Sequence, residues 1–180
     1  PRFVVDGKPA MGMVGCGTFA EEMIVPASAV VKIGKDIPLD VASLIGCGVT
    51  TGVGAPINTA KIAPGSSVVV IGPGGVGIAA IQGARIAGAA EILAIDTVDN
   101  KLGMGKKFGA THGCLAKDVD AAKQQITGGE GFDYTLECVG HPVTIRQCYD
   151  LARGGGTAVV VGVGRIEQQV AFSAFELFYG

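Results

Sequence analysis

The chain alternates between two kinds of apolar pattern. Val68-Val69-Val70-Ile71 is an unbroken β-branched run, the pattern of a strand covered on both faces. A glycine turn follows, and then Ile78, Ala79, Ile81, Gln82, Ala84, Arg85 and Ile86 fall at helical spacing. A second apolar run, Ile92-Leu93-Ala94-Ile95, closes on Asp96. Strand-like runs end near Ile71, Ile95, Leu115, Glu137 and Val161. Their spacing is roughly 20–25 residues, the length of a strand, a helix and two short loops. Helices are predicted over Asp99–Phe108, with Asp99 as cap, over Asp118–Ile126, and over Val143–Leu151. The last has Pro142 in its first turn and Gly154-Gly155-Gly156 after its end. This alternation predicts an α/β fold with a doubly wound parallel sheet. Binding groups then belong at the carboxyl edge: Gly72 onward, Asp96, Cys138-Val139-Gly140 and Gly162-Val163-Gly164.

Before Asp40 the pattern changes. Gly12, Gly15, Gly17 and Pro26 punctuate short predicted strands such as Met23-Ile24-Val25. This segment reads as the end of a separate β-rich domain, entered in mid-domain at Pro1. Ile37-Pro38-Leu39-Asp40 marks the boundary, giving residues 1–40 and 41–180, and Val41–Ile45 starts a helix.

Composition narrows the function classes. With 48% hydrophobic and 17% charged residues, the chain is globular and not disordered. Charges and glycines break every apolar run before the roughly 18 residues of a membrane span, so no membrane role is expected. No secretory signal is read. The net charge is −2 without a Lys/Arg cluster, which argues against nucleic acid or anionic lipid as partner. Cys16, Cys47, Cys114, Cys138 and Cys148 form no C-x-x-C pair, so reduced thiols in a cytoplasmic protein are expected.

Gly72, Gly74 and Gly77 form G-x-G-x-x-G between a strand and a helix. Backbone N–H groups left free at such a junction point at an anion, here a pyrophosphate. Asp96 lies about 20 residues beyond, where a dinucleotide fold places its ribose ligand. A carboxylate there without a neighbouring Arg selects NAD over NADP. Two features cut across this pattern. Gly103 and Gly105 interrupt a predicted helix at roughly 1 kcal/mol each, and Pro73 sits inside the phosphate turn, where it lacks a donor. Of the two histidines, His112 carries no assignment, whereas His141 follows Gly140 and is a minor candidate for adenosine contact.

Leu44-Ile45-Gly46-Cys47-Gly48-Val49-Thr50-Thr51-Gly52, Gly72-Pro73-Gly74-Gly75-Val76-Gly77, Asp96 with Lys101, Phe108-Gly109-Ala110-Thr111, Glu137-Cys138-Val139-Gly140 and Val161-Gly162-Val163 together resemble the zinc-dependent medium-chain alcohol dehydrogenase family. The nearest likeness is to its class III, formaldehyde-active branch. The chain resembles the middle of such an enzyme: the tail of a GroES-like catalytic domain and most of a Rossmann NAD domain.

The resemblance implies roles. Cys47 is a catalytic zinc ligand, with the other Zn²⁺ ligands outside this chain. Thr51 lies beside the nicotinamide. Gly75 and Val76 offer amides to the pyrophosphate. Asp96 takes the adenosine ribose and Lys101 contacts it. Val139 lies on the path from ribose to nicotinamide, and Val161 and Val163 line the nicotinamide. The family's early Cys, its Gly-His-Glu segment, its four-cysteine lobe and its proton relay find no match. The implied activity is NAD-dependent oxidation of a primary alcohol or alcohol-like adduct to an aldehyde, in a homodimer or homotetramer. Alternatives are a zinc-free quinone or enoyl reductase-type relative, or an NAD-binding module without catalysis, and these 180 residues by themselves are expected to turn nothing over.

Overall fold

The computed structural model describes residues 3–10, 18 and 20–179. It divides into two compact units, residues 1–38 and 39–180. In the first, β1 (Phe3–Val5) and β2 (Lys8–Ala10) pair antiparallel. They turn through Asp6 and Gly7, both at positive φ, as a tight hairpin requires. Met23–Val25 forms no strand, because among the described residues no ladder partner faces it, and Ile24 is fully exposed. Gly12, Gly15, Cys16 and Gly17 lie outside the described residues.

The second unit opens with a helical run over Leu39–Ala60, starting two residues before the expected Val41. Its 22 residues are long and apolar enough to cross a membrane by composition alone. The run is not uniform. α1 (Leu39–Ala42) and α2 (Thr50–Gly54) are joined and followed by wider turns over Ile45–Val49 and Ala55–Ala60. Val49 N–H accordingly reaches back five residues to Leu44 O, at 3.2 Å. Such widened turns are rare and recur at functional sites.

Five parallel strands follow, in the order β5-β4-β3-β6-β7: β3 Ser67–Ile71, β4 Glu91–Asp96, β5 His112–Leu115, β6 Phe132–Glu137 and β7 Ala152–Val160. The crossovers are α3 (Gly75–Ile86), α4 (Asp99–Lys107), α5 (Val119–Thr127) and α6 (Pro142–Leu151). The pleat sends Val68 and Val70 to one face, packed with Ala80, Ile81, Ala84 and Leu136. Val69 and Ile71 go to the other, with Leu93, Phe132, Cys148 and Leu151. Strands β3 and β4 are thus buried on both sides, as their unbroken apolar runs predict, whereas β5 is half-buried and β7 mostly exposed. Strand order reverses between β3 and β6, and such a switch point is where this architecture binds ligands.

Three local expectations are corrected. Asp99 is the first residue inside α4, and the N-cap is Val98, which has no side-chain acceptor to offer; its N–H donates to Asp96 Oδ1. Helix α5 starts at Val119, one residue later than expected, after a tight turn over Ala116–Asp118. Gly154–Gly156 follows the end of α6 as expected, but it already belongs to β7, so that strand starts earlier than its apolar residues suggest, and the register with β6 jumps from Phe132↔Ala152 to Tyr134↔Thr157. Gly155 takes φ +71° in that bulge, and a Cβ on Gly156 would lie 3.0 Å from Phe132 O.

Two glycines bring helices α2 and α3 together. A Cβ on Gly52 would strike Val76 O and come within 2.5 Å of Ala79 Cβ. A Cβ on Gly83 would lie 2.9 Å from Val53 O. Helices α2 and α3 therefore cross with backbones in contact. Gly105 has a similar reason to be small: a Cβ there would stand 3.1 Å from Ala94 Cβ. Gly103 faces open space, and nothing in the structure explains it. At the chain's far end, Arg146 pairs with Asp150 (2.6 Å) and Glu176 (2.7 Å) and lies over Tyr149 and Phe172, holding α7 (Ala174–Tyr179) to α6.

At the opposite, amino edge, Asp133 accepts from Ser67 N and Oγ, both at 2.8 Å, and from Arg153 Nε at 2.7 Å. The Ser67 amide first, then Arg153, hold its carboxyl below the usual range. Stability from this group is present above the unfolded carboxylate pKa of about 4 and lost as pH falls through the lower folded value. Asp133→Asn should therefore lower the melting temperature at pH 7 more than at pH 3; an equal loss at both would refute the linkage. Gly52→Ala should destabilise by about 1–3 kcal/mol through overpacking. Gly103→Ala should stabilise by up to about 1 kcal/mol. Thermal melts that rank the two the other way would contradict the close crossing.

Candidate functional site

The turn after β3 is fixed by its own backbone. Gly72 takes φ +82°, and its N–H donates to Ile95 O at 2.9 Å. A Cβ on Gly72 would collide with Val139 Cγ2, and one on Gly77 would strike Gly72 O. These two glycines are explained by internal contacts. Gly74 and Gly75 are not: both are exposed, both have negative φ, and a Cβ on either would meet nothing within 4 Å. Gly74 N–H is tied to Gly72 O at 2.7 Å, and the first turn of α3 closes from Ile78 N to Gly74 O at 2.8 Å. The amides of Gly75, Val76 and Gly77 precede that ladder and stand at the positive end of a twelve-residue helix. Pro73 is buried, with its Cβ 3.7 Å from where a Cβ on Gly105 would lie. Its missing N–H costs this turn nothing that α3 needs, and its ring packs the turn onto α4.

Asp96 closes β4 beside this turn. Its side chain is 7% exposed; Oδ1 accepts from Val98 N at 3.0 Å, and Oδ2 lies 3.4 Å from Lys101 Nζ. Ile71, Gly72, Asp96, Lys101, Val139 and Thr144 line one cleft of about 170 Å³. The structure thus gathers Gly72, Asp96, Lys101 and Val139 in one place. Thr51 and Val161 line a second groove of about 440 Å³, with Thr50, Asn58 and Val160. Val163 is 92% exposed, one residue past the Gly162 that crosses Gly140. Cys47 is exposed within the widened turn Ile45–Val49 and lines neither cleft. No group of three His, Cys, Asp or Glu side chains suited to a metal occurs among the described residues.

The two loops beyond β6 and β7 meet backbone to backbone. A Cβ on Gly140, at φ +82°, would strike the Val163 main chain, and one on Gly162 would strike Gly140 N. Glu137, the last residue of β6, is fully buried. Its Oε1 accepts from Val139 N (2.9 Å), Gly140 N (2.8 Å) and Thr144 Oγ1 (2.7 Å). Its Oε2 has no partner among the described residues. An unpaired buried acceptor of this kind costs about 1–3 kcal/mol. Sequence reasoning set Gly140 at the binding edge but left Glu137 and Thr144 without roles; an acid closing a strand is the signal that marked Glu137. His141 Nδ1 accepts from Val143 N at 3.2 Å and so caps α6. Burial pushes the Cys138 thiol up to about 12 and the Cys148 thiol up to about 11, with the Glu137 charge adding to both. Burial also takes Cys114 up to about 11. All three stay protonated near neutrality, whereas a metal ligand is a thiolate.

Residues 75–180 match the family model of the zinc-binding dehydrogenase. The chain is 42% identical to the alcohol dehydrogenase class-3 of Pisum sativum over 99% of this chain and 48% of that protein. It is 40% identical to the S-(hydroxymethyl)glutathione dehydrogenase of Photobacterium damsela subsp. piscicida, over 99% of this chain and 50% of that one. Among solved structures, benzyl alcohol dehydrogenase from Acinetobacter calcoaceticus superposes with a TM-score of 0.77 at 37% identity, over 82% of this chain and 41% of that one. The chain spans about half the length of the curated relatives it matches. The family model matches from the first residue of α3 onward, over more than half of the chain, and the chain belongs to the zinc-binding dehydrogenase family.

Proposed function

We propose that this protein is an NAD-dependent alcohol dehydrogenase of the zinc type, oxidising a primary alcohol or alcohol-like adduct to an aldehyde. One observation carries the cofactor part: Gly74 and Gly75 are small for no internal reason, on the outward side of a turn that presents free amides. A backbone bare of side chains at that point suits close approach of a pyrophosphate. The alcohol part rests on the named activities of the relatives.

In this proposal Gly72 and Gly77 shape the turn, and the Gly75 and Val76 amides bind the pyrophosphate. Asp96 accepts hydrogen bonds from the adenosine ribose while Lys101 faces the same sugar. Val139 lies at the end of the cleft towards the nicotinamide, which Thr51 and Val161 would orient from the second groove and Val163 from its exposed loop. Bound NAD would supply the hydride acceptor. Zinc is a different case. A catalytic zinc takes three protein ligands, and the described residues bring no such group of side chains together around the exposed Cys47. Those residues do not form a zinc site by themselves, and Cys47 is assigned as one ligand on the likeness to the family. The proposal also takes the protein as cytoplasmic and as a homodimer or homotetramer acting on a small molecule.

Calorimetric titration should show NAD binding at least about tenfold tighter than NADP, since a 2′-phosphate would face the buried Asp96 carboxylate. Asp96→Ala should narrow that gap by weakening NAD; equal or tighter NADP binding by the wild type would sink the assignment. Metal analysis should find less zinc in Cys47→Ser than in wild type, and an unchanged zinc content would remove Cys47 from the ligand set.

A further inference from the structure

We infer that Glu137 is a positioning residue, whose Oε1 sets the Val139–Gly140 wall of the dinucleotide cleft. The inference rests on the dinucleotide reading above. One carboxylate oxygen gathers two consecutive main-chain amides and the first-turn hydroxyl of α6, all within 2.9 Å. Each of those donors belongs to a surface of the cleft or its neighbour. Val139 packs against Gly72, the pivot of the phosphate turn, and lines the cleft with Asp96 and Lys101. Gly140 backs onto Val163. Thr144 lines the same cleft as Val139. The Glu137 main-chain carbonyl adds to this by accepting from Val161 N at 2.8 Å and Gly162 N at 3.0 Å. One residue thereby places both carboxyl-edge loops.

A packing role does not account for the side chain. It is fully buried, yet Oε2 has no partner among the described residues. An apolar side chain of the same length would fill the space without an unpaired acceptor. What only the polar side chain supplies is Oε1 and its three donors.

The test compares Glu137→Gln with Glu137→Met in the purified protein, by NAD titration and by amide hydrogen exchange without ligand. Gln keeps an acceptor oxygen, so its NAD affinity should stay within about threefold of wild type, whereas Met should weaken NAD about tenfold or more. In Met the Val139 and Gly140 amides should exchange at least about tenfold faster, with the β3 core amides of Val69 and Val70 unchanged. If Met does not fold, Glu137→Asp serves instead, since it keeps the charge but withdraws the acceptor by one methylene. It should weaken NAD and speed the same two amides. Wild-type exchange at Val139 and Gly140 in Met or Asp, or NAD binding equal to wild type there, overturns the inference. Failure of the wild type itself to bind NAD overturns the dinucleotide reading instead, and the exchange arm then still decides whether Glu137 sets these amides.

Discussion

The carboxyl edge of the sheet depends on main chain approaching main chain with no side chain between. Gly77 lies against the Gly72 carbonyl, Gly140 against Val163, and Gly162 against Gly140. Each contact is closer than a Cβ permits, so each fixes the path of a loop more tightly than side-chain packing could. Because β3 and β6 are neighbours at the switch point, the loops that leave them are forced into one another's space. Gly72 and Val139 are the contact through which that happens.

The same constraint sorts the glycines by cause. Gly72 has a positive φ and Gly77 a steric neighbour, so the fold itself requires them. Gly74 and Gly75 have neither. A motif of glycines can thus be split into a part that holds the turn and a part left open on its outer side. Helix α3 begins at that open part, so its unsatisfied amides and the bare backbone coincide.

Much of this was legible from residue pattern. The strand ends expected near Ile71, Ile95, Leu115 and Glu137 fall within one residue of those found, and for β3 and β4 they follow from the apolar runs that a doubly covered strand demands. The cleft follows from Gly72, Asp96 and Val139 standing at or just past the ends of three adjacent strands, with Lys101 reaching it from the first turn of α4. Other features are set by partners distant in sequence, which a local pattern does not carry. Met23–Val25 has the composition of a strand without a described ladder partner. The Gly154–Gly156 bulge exists because Phe132 O and Asp133 O stand opposite Gly156. The Gly52–Gly83 crossing joins two helices whose closeness depends on the whole βαβ layout.

Pro73 and Gly105 show why such pairs escape a reading of either residue alone. In the sequence each looks like a defect, one a lost donor in a phosphate turn and the other a weak helix former. In the fold they lie across from each other, Pro73 on the turn and Gly105 on the face of α4 that meets Ala94 and Ile81. Glycine lets α4 settle onto β4, and the buried proline ring then fills the space between helix and turn. The turn is held from the α4 side by an apolar contact and from the β6 side by Val139, which is itself placed by Glu137. A turn built mainly of glycine has few side chains of its own to stiffen it, so its rigidity comes from such neighbours. Here those neighbours approach from both directions along the strand order.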